Sequence, residues 1–232
     1  MFEAEAIRLR EILLGQGQGE ISPLLNLGSS TRAFREQSKP HIERELFAPL
    51  RTAGLEIVHS DLKRAEGVDV AGDILDPAVR RELKRRGFRT LLIANMLEHV
   101  RDRAAVAAAC EEIVGPGGLI LATAPSSFPY HADPVDTGYR PQPGELAAVF
   151  RGSEAVCAEE VRGQTYREEI AGRGSTVARE LVHTLGFAVI CFVRPKSFRA
   201  RLSRWRWYRR PYAVSLALVR VRGSGPRQGM AG

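Results

Sequence analysis

The sequence predicts an α/β protein, an open and mostly parallel sheet with helices on both faces. Three observations carry that prediction. Short apolar runs recur at residues 24–27, 55–58, 89–94 and 119–123. They are near-continuous, as strands covered on both faces are, and do not alternate. Segments of helical periodicity separate them, the pattern of a parallel sheet built from strand-helix units.

The elements follow in chain order. Residues 2–15 place Ala6, Ile7, Leu9, Leu13 and Leu14 at amphipathic spacing, which suits a helix lying across the domain as a cover. Gly15, Gly17 and Gly19 end it. Residues 24–32 read as a buried strand, a tight turn at Gly28 and the start of a helix. Gly28 has no Cβ to hold a ligand away, and Ser29, Ser30 and Thr31 offer polar groups. This turn is the expected floor of a cofactor site. Residues 34–53 are helical, with Pro40 suited to a first-turn position. A second strand, 55–61, ends on Asp61, and a third, 67–74, carries Asp73 near its end.

Asp76-Pro77 opens a helix to about Arg86, Asp as N-cap and Pro at its first position. The fourth strand covers 89–95 and a helix follows over 102–114, stopped by Gly115-Pro116-Gly117-Gly118. The fifth strand covers 119–123. A long loop, 125–143, is rich in Pro, His, Asp and Tyr, and loops of that length tend to carry function. Beyond it the pattern predicts a helix at 144–150, a strand at 155–162, a helix at 180–186, a strand at 187–193 and a last strand at 212–222. The division expected is a cover helix at 1–19, one domain over 20–222 and a Gly/Pro-rich tail at 223–232.

The 232 residues suffice for a substantial core, and 44% hydrophobic with 26% charged residues is a soluble globular composition. The acidic start lacks a secretory pattern, and no apolar run approaches the roughly 20 residues of a membrane span. Cys110, Cys157 and Cys191 are widely spaced, so neither a disulfide framework nor a metal site is expected, and the cytoplasm is the natural compartment. The net charge of +7 is uneven. Eleven of the 34 Lys/Arg lie from Arg194 onward, and no acidic residue follows Glu180. A mildly acidic body therefore carries a basic C-terminal part.

A pyrophosphate cradle at Gly28 is disfavoured. A dinucleotide fingerprint wants glycines where Ser30 and Ala33 stand, and no Gly-Lys-Ser/Thr closes the turn as in a P-loop. A nucleoside without phosphates remains open.

Five stretches in order then resemble the class I S-adenosylmethionine (SAM)-dependent methyltransferases, particularly the small-molecule type labelled type 11. They are Leu25-Asn26-Leu27-Gly28-Ser29-Ser30, Val58-His59-Ser60-Asp61-Leu62, Val70-Ala71-Gly72-Asp73-Ile74, Ala94-Asn95-Met96-Leu97-Glu98-His99-Val100 and Ile113-Val114-Gly115-Pro116-Gly117-Gly118-Leu119-Ile120. Asn26 stands where the family pattern has an acid, and Ser30 and Arg32 replace its second and third glycines. The resemblance implies a Rossmann-like, mostly parallel seven-stranded sheet and SAM as cofactor. It implies that Asp61 accepts from the ribose hydroxyls and Asp73 from the adenine amino group, with Leu62 and Ile74 about the ring. Gly28, Ser29 and Ser30 would face the methionine part, and Asn95 and Met96 the sulfonium. Asp69 is a decoy for Asp73 on the same strand, and Glu98 and His99 are expected to anchor the helix that follows.

Acceptor contacts are expected from the long loop. His131 is the candidate base, titrating near neutrality, with Asp133 or Asp136 to orient it and Tyr139 and Arg140 to position a polar acceptor. The same residues would also serve simply to tie the loop down. In the basic segment, 194–211, Phe198, Leu202 and Trp205 fall at helical spacing among arginines through Arg210. Such a helix packs on the sheet, lies on an anionic membrane surface or, less favoured, holds nucleic acid. The acceptor expected is a small molecule or glycan, including a lipid-linked one, and the protein is cytoplasmic or peripheral to the membrane. An RNA methyltransferase lacks a recognisable appended RNA-binding module here. A non-catalytic protein of the same fold, binding an acidic partner, is the remaining class.

Overall fold

The computed structural model describes residues 1–131, 135–189 and 202–223. Seven strands form one sheet in the order β3-β2-β1-β4-β5-β7-β6. They are β1 (Leu24–Leu27), β2 (Ile57–Asp61), β3 (Val70–Ala71), β4 (Thr90–Ala94), β5 (Leu119–Ser127), β6 (Ser153–Thr165) and β7 (Pro211–Val221). Strands β1 to β5 pair in parallel, and β7 runs antiparallel to both β5 and β6. The open, mostly parallel sheet predicted is therefore the sheet observed.

The central strands feed two cores because successive side chains point to opposite faces. Leu25, Leu91, Ile93, Ile120 and Ala122 belong to one core, and Leu24, Leu92, Leu119 and Leu121 to the other. Helix α1 (Glu3–Gly15) covers the second face through Ala6, Leu9, Ile12 and Leu13, all buried. The short α2 (Gln18–Ile21) follows. Residues 34–52 then alternate wide π turns, Phe34–Ser38 and Glu43–Phe47, with α3 (Pro40–Ile42) and α4 (Ala48–Thr52), and add Ile42, Leu46, Phe47 and Leu50 to that core. Pro40 opens α3 at its first position as expected.

The other face is covered by α5 (Pro77–Arg85) and α6 (Arg103–Val114). Asp76 caps α5 by accepting from Ala78 N at 2.7 Å, and Asp102 caps α6 by accepting from Ala105 N at 2.9 Å. Then come α7 (Pro143–Ala147), α8 (Tyr166–Gly172) and α9 (Val177–Val189). Of the strand expected at 187–193, residues 187–189 instead continue α9, and 190–193 lie outside the described residues. A short apolar run does not by itself separate strand from helix. Helix α8, capped by Thr165 onto Glu168 N, was not foreseen. The basic segment is described from Leu202. Trp205 packs edge-on against Tyr166 at 5.6 Å and its indole donates to Thr184, while Leu202 is exposed and Phe198 lies outside the described residues. Among the described residues, no helix is long and apolar enough to cross a membrane.

One buried polar pair joins the first two strands. Asn26 and His59 face each other across β1 and β2, and the amide Nδ2 donates to His59 Nδ1 at 3.0 Å. Burial, with Arg35 nearby, pushes the imidazole down to about 4. The unfolded chain takes up this proton first, so stability is lost as pH falls from about 6.5 toward 4. Denaturation midpoints across that range should show the native protein losing about 1–3 kcal/mol more than His59→Gln. Parallel curves for the two would reject the assignment.

Candidate functional site

The site lies at the carboxyl edge of the sheet, where the chain leaves β1 for β2 on one side and β4 stands on the other. Open α/β sheets bind ligands at this switch point. Gly28 adopts φ +71° there, and Ser30 follows with φ +54°. Gly28 N and Ser29 N both donate to Ser60 O, at 2.8 and 3.0 Å. Ser30 N donates to Asp61 Oδ2 at 2.8 Å. Three successive turn amides thus point into the end of β2. The turn has no amide cluster left for a phosphate, in agreement with the absence of a dinucleotide fingerprint.

Arg35 holds the same turn from below. It is buried, and its guanidinium donates to Ser29 O (2.9 Å), Ser30 O (2.8 Å) and Gly67 O (2.8 Å). Sequence reasoning did not single it out, since an arginine in a polar helical stretch reads as solvated.

The predicted residues fall as follows. Asp61 is half-buried at the tip of β2, and its second oxygen accepts from Lys63 N at 3.2 Å. Asp73 lies two residues past β3, exposed, with Oδ1 accepting from Leu75 N at 2.9 Å. Leu62 is exposed, whereas Ile74 is buried in the core. Asp69 accepts from His59 N at 2.8 Å and so ties β2 to the start of β3. Asn95 follows β4 with φ +51°. Met96 lies over the turn, its Sδ 2.9 Å from where a Cβ on Gly28 would stand. Two open surface hollows lie elsewhere, along α5 beside Arg81 and Arg85 and beneath the Gly115–Gly118 turn. At the Gly28 turn the space is taken by the Met96 thioether, a flexible chain that repacks readily.

Glu5 is a residue the sequence reading missed. It is fully buried on α1, and Oε1 accepts from Asn95 Nδ2 (2.6 Å) and Thr123 Oγ1 (2.7 Å). Nothing local marks it, because an acid in a first helical turn ordinarily complements the helix dipole. Glu98 and His99 do not anchor α6. Asp102 does that, and Leu97–His99 form a separate 3-10 turn in which Glu98 is buried. Burial raises the Glu98 carboxyl to about 7.

The long loop folds around Asp136, whose carboxylate is buried. It accepts from Arg140 (2.6 and 3.0 Å), His131 N (3.0 Å) and Gly138 N (2.8 Å). Burial alone would raise this group, and Arg140 with the two amides brings it down to about 2. Arg140 also donates to Phe128 O, Pro129 O and Tyr139 O, so it holds the loop and does not face an acceptor. The Tyr139 hydroxyl is buried, and Arg103 covers the ring. His131 is half-buried, its Nδ1 3.4 Å from Asp136 Oδ2, and burial pushes its pKa below the ordinary value. Asp133 lies outside the described residues.

Replacing Arg35 by Met leaves three carbonyls without their donor, and urea denaturation should show a loss of about 2–4 kcal/mol. Arg35→Lys should not recover it, because a point-like ammonium does not reproduce the guanidinium fork. A neutral result for either would remove Arg35 as the support of the turn.

No family profile matches the chain, and no curated protein matches it. Solved structures do. A Bacillus halodurans protein assigned as a methyltransferase superposes with a TM-score of 0.53 at 12% identity, covering 95% of this chain and 99% of the other. A structure describing conversion of a disulfide bond into a thioacetal group during echinomycin biosynthesis gives 0.51 at 14% identity, over 97% and 86%. At such identities the likeness is one of architecture, and the chain has a Rossmann-like fold, an open and mostly parallel seven-stranded sheet shared with that methyltransferase structure.

Proposed function

We propose that the protein is a SAM-dependent methyltransferase acting on a small molecule or glycan. The observation that supports this most is the alignment of the Gly28 turn, Asp61, Asp73 and Asn95 along the carboxyl ends of β1, β2, β3 and β4, neighbours in one sheet. The donor set suits a nucleoside. Asp61 is held by two amides, and each oxygen keeps a lone pair for a ribose hydroxyl. Asp73 has an oxygen left for the adenine amino group, with exposed Leu62 to cover the ring and Ile74 beneath it. Gly28, Ser29 and Ser30 face the methionine end once Met96 swings away. Asn95 and Met96 then line the sulfonium side, with Glu5 behind Asn95.

SAM, when bound, supplies an electrophilic methyl group on sulfur. The chain's contribution is alignment, which carries much of the rate for a good leaving group. A hydroxyl acceptor must also lose a proton, and His131 is suited to hold it because burial shifts its imidazole toward the neutral form. Asp136 sits beside it, already committed to Arg140. Asp133 is retained as a further candidate of the same loop. The arginine-rich stretch from Phe198 to Arg210 supports the finer proposal of a lipid-linked acceptor at an anionic membrane surface, with the protein in the cytoplasm.

Isothermal titration of the ligand-free protein with SAM should give a dissociation constant in the micromolar range, about −8 kcal/mol. Asp61→Ala should weaken binding about tenfold or more. Absence of heat and of thermal shift at saturating SAM would reject the cofactor. With an acceptor found by screening for S-adenosylhomocysteine release, His131→Gln should stop turnover and spare SAM binding. Full turnover in that variant would remove His131.

A further inference from the structure

Beside the nucleoside site, the fold gathers three metal-ligating side chains that the sequence separates. Glu98 and His99 come from the turn after β4, and His131 from the loop after β5. One ligand atom from each lies within 4.8 Å of the other two. Glu98 Oε1 stands 3.7 Å from His99 Nε2. Ligand atoms about a tetrahedral ion with bonds of about 2.1 Å are roughly 3.4 Å apart, so little movement is needed.

Two independent features point to a ligand here. Glu98 is only 1% exposed, and its Oε2 has no hydrogen-bond partner. A buried unpaired carboxyl oxygen costs stability and calls for an explanation. The His99 ring is also oriented for ligation, with Nε2 toward Glu98, and both rings have an oxygen beside Nδ1. His99 Nδ1 meets Val135 O, and His131 Nδ1 lies 3.4 Å from both Pro129 O and Asp136 Oδ2. A proton on each Nδ1, facing these oxygens, leaves each Nε2 with its lone pair. Backbone carbonyls and carboxylates fix ligating imidazoles in this way.

We infer that Glu98, His99 and His131 form a binding site for a divalent transition-metal ion of the Zn2+ type. Two imidazoles and one carboxylate suit zinc, iron or manganese, whereas magnesium and calcium favour oxygen alone. Three protein ligands leave a coordination position open for an oxygen of a small molecule. In this state His131 is a ligand and no longer the proton holder proposed above, and an acceptor oxygen would bind the ion directly. The inference deepens the methyltransferase reading only in this last respect, since metal binding is measured without SAM.

The test uses the full chain, stripped with chelator and titrated with Zn2+ by calorimetry and with Co2+ by visible absorption. Expected are one ion per chain, a dissociation constant of micromolar or tighter, and a Co2+ band in the visible. His99→Ala and His131→Ala should each weaken binding at least tenfold, and Glu98→Gln should do the same. Cys157→Ser should bind as the native chain does. Zn2+ held equally well by the His99→Ala/His131→Ala double variant would overturn the site. Should the variants fail to fold, a native chain showing no Co2+ band at saturation would overturn it alone, and the ring contact between His99 and His131 would then be packing only. SAM titration in chelator reports separately on the cofactor.

Discussion

The capture of three turn amides by the end of β2 is the constraint on which the site depends. Ser60 O takes two of them and Asp61 takes the third. Because β1 and β2 are paired in register up to Leu27 and Ser60, the turn closes directly over the tip of its neighbour. The carboxylate that ends β2 is thereby oriented by the backbone before any ligand arrives. In a turn bound in this manner these three amides are committed to β2, and the Ser29 and Ser30 carbonyls to Arg35, which leaves no row of free amides for a phosphate.

Much of this was legible because the sequence encodes it locally. Apolar runs bounded by Gly, Asp and Asn located β1 to β5, and Asp76-Pro77 marked the start of α5. Asp61 ends its strand as expected, whereas the third strand, expected over 67–74, is only Val70–Ala71 and leaves Asp73 two residues beyond it. What escaped was set by distant partners. Glu5 meets Asn95 and Thr123, 90 and 118 residues away. Arg140 reads as an outward arm until Asp136 and three carbonyls surround it. Residues 187–189 are as apolar as a strand and continue a helix instead. Glu98 and His99 were assigned to a helix start that Asp102 already caps.

The two faces of the site differ in kind. On the β1–β3 side, polar side chains pair with backbone and hold the turn rigid. On the β4–β5 side, Glu5 pairs side chain to side chain with Asn95 and Thr123 across long separations, and the loop beyond β5 is tied locally by Asp136 and Arg140. Rigid backbone suits recognition of an invariant nucleoside. Side-chain networks vary with single substitutions, which suits the part of a site that must differ among acceptors.

The antiparallel strand β7 has a consequence for how the chain is made. It lies between β5 and β6, yet follows both in sequence. While the polypeptide leaves the ribosome, β5 and β6 present open edges, and neither pairs with the other. Such edges invite pairing with foreign strands. The sheet becomes continuous only when residues 211–221 emerge, so a chain cut short before Pro211 would lose the join between two parts of the domain and not merely its last strand.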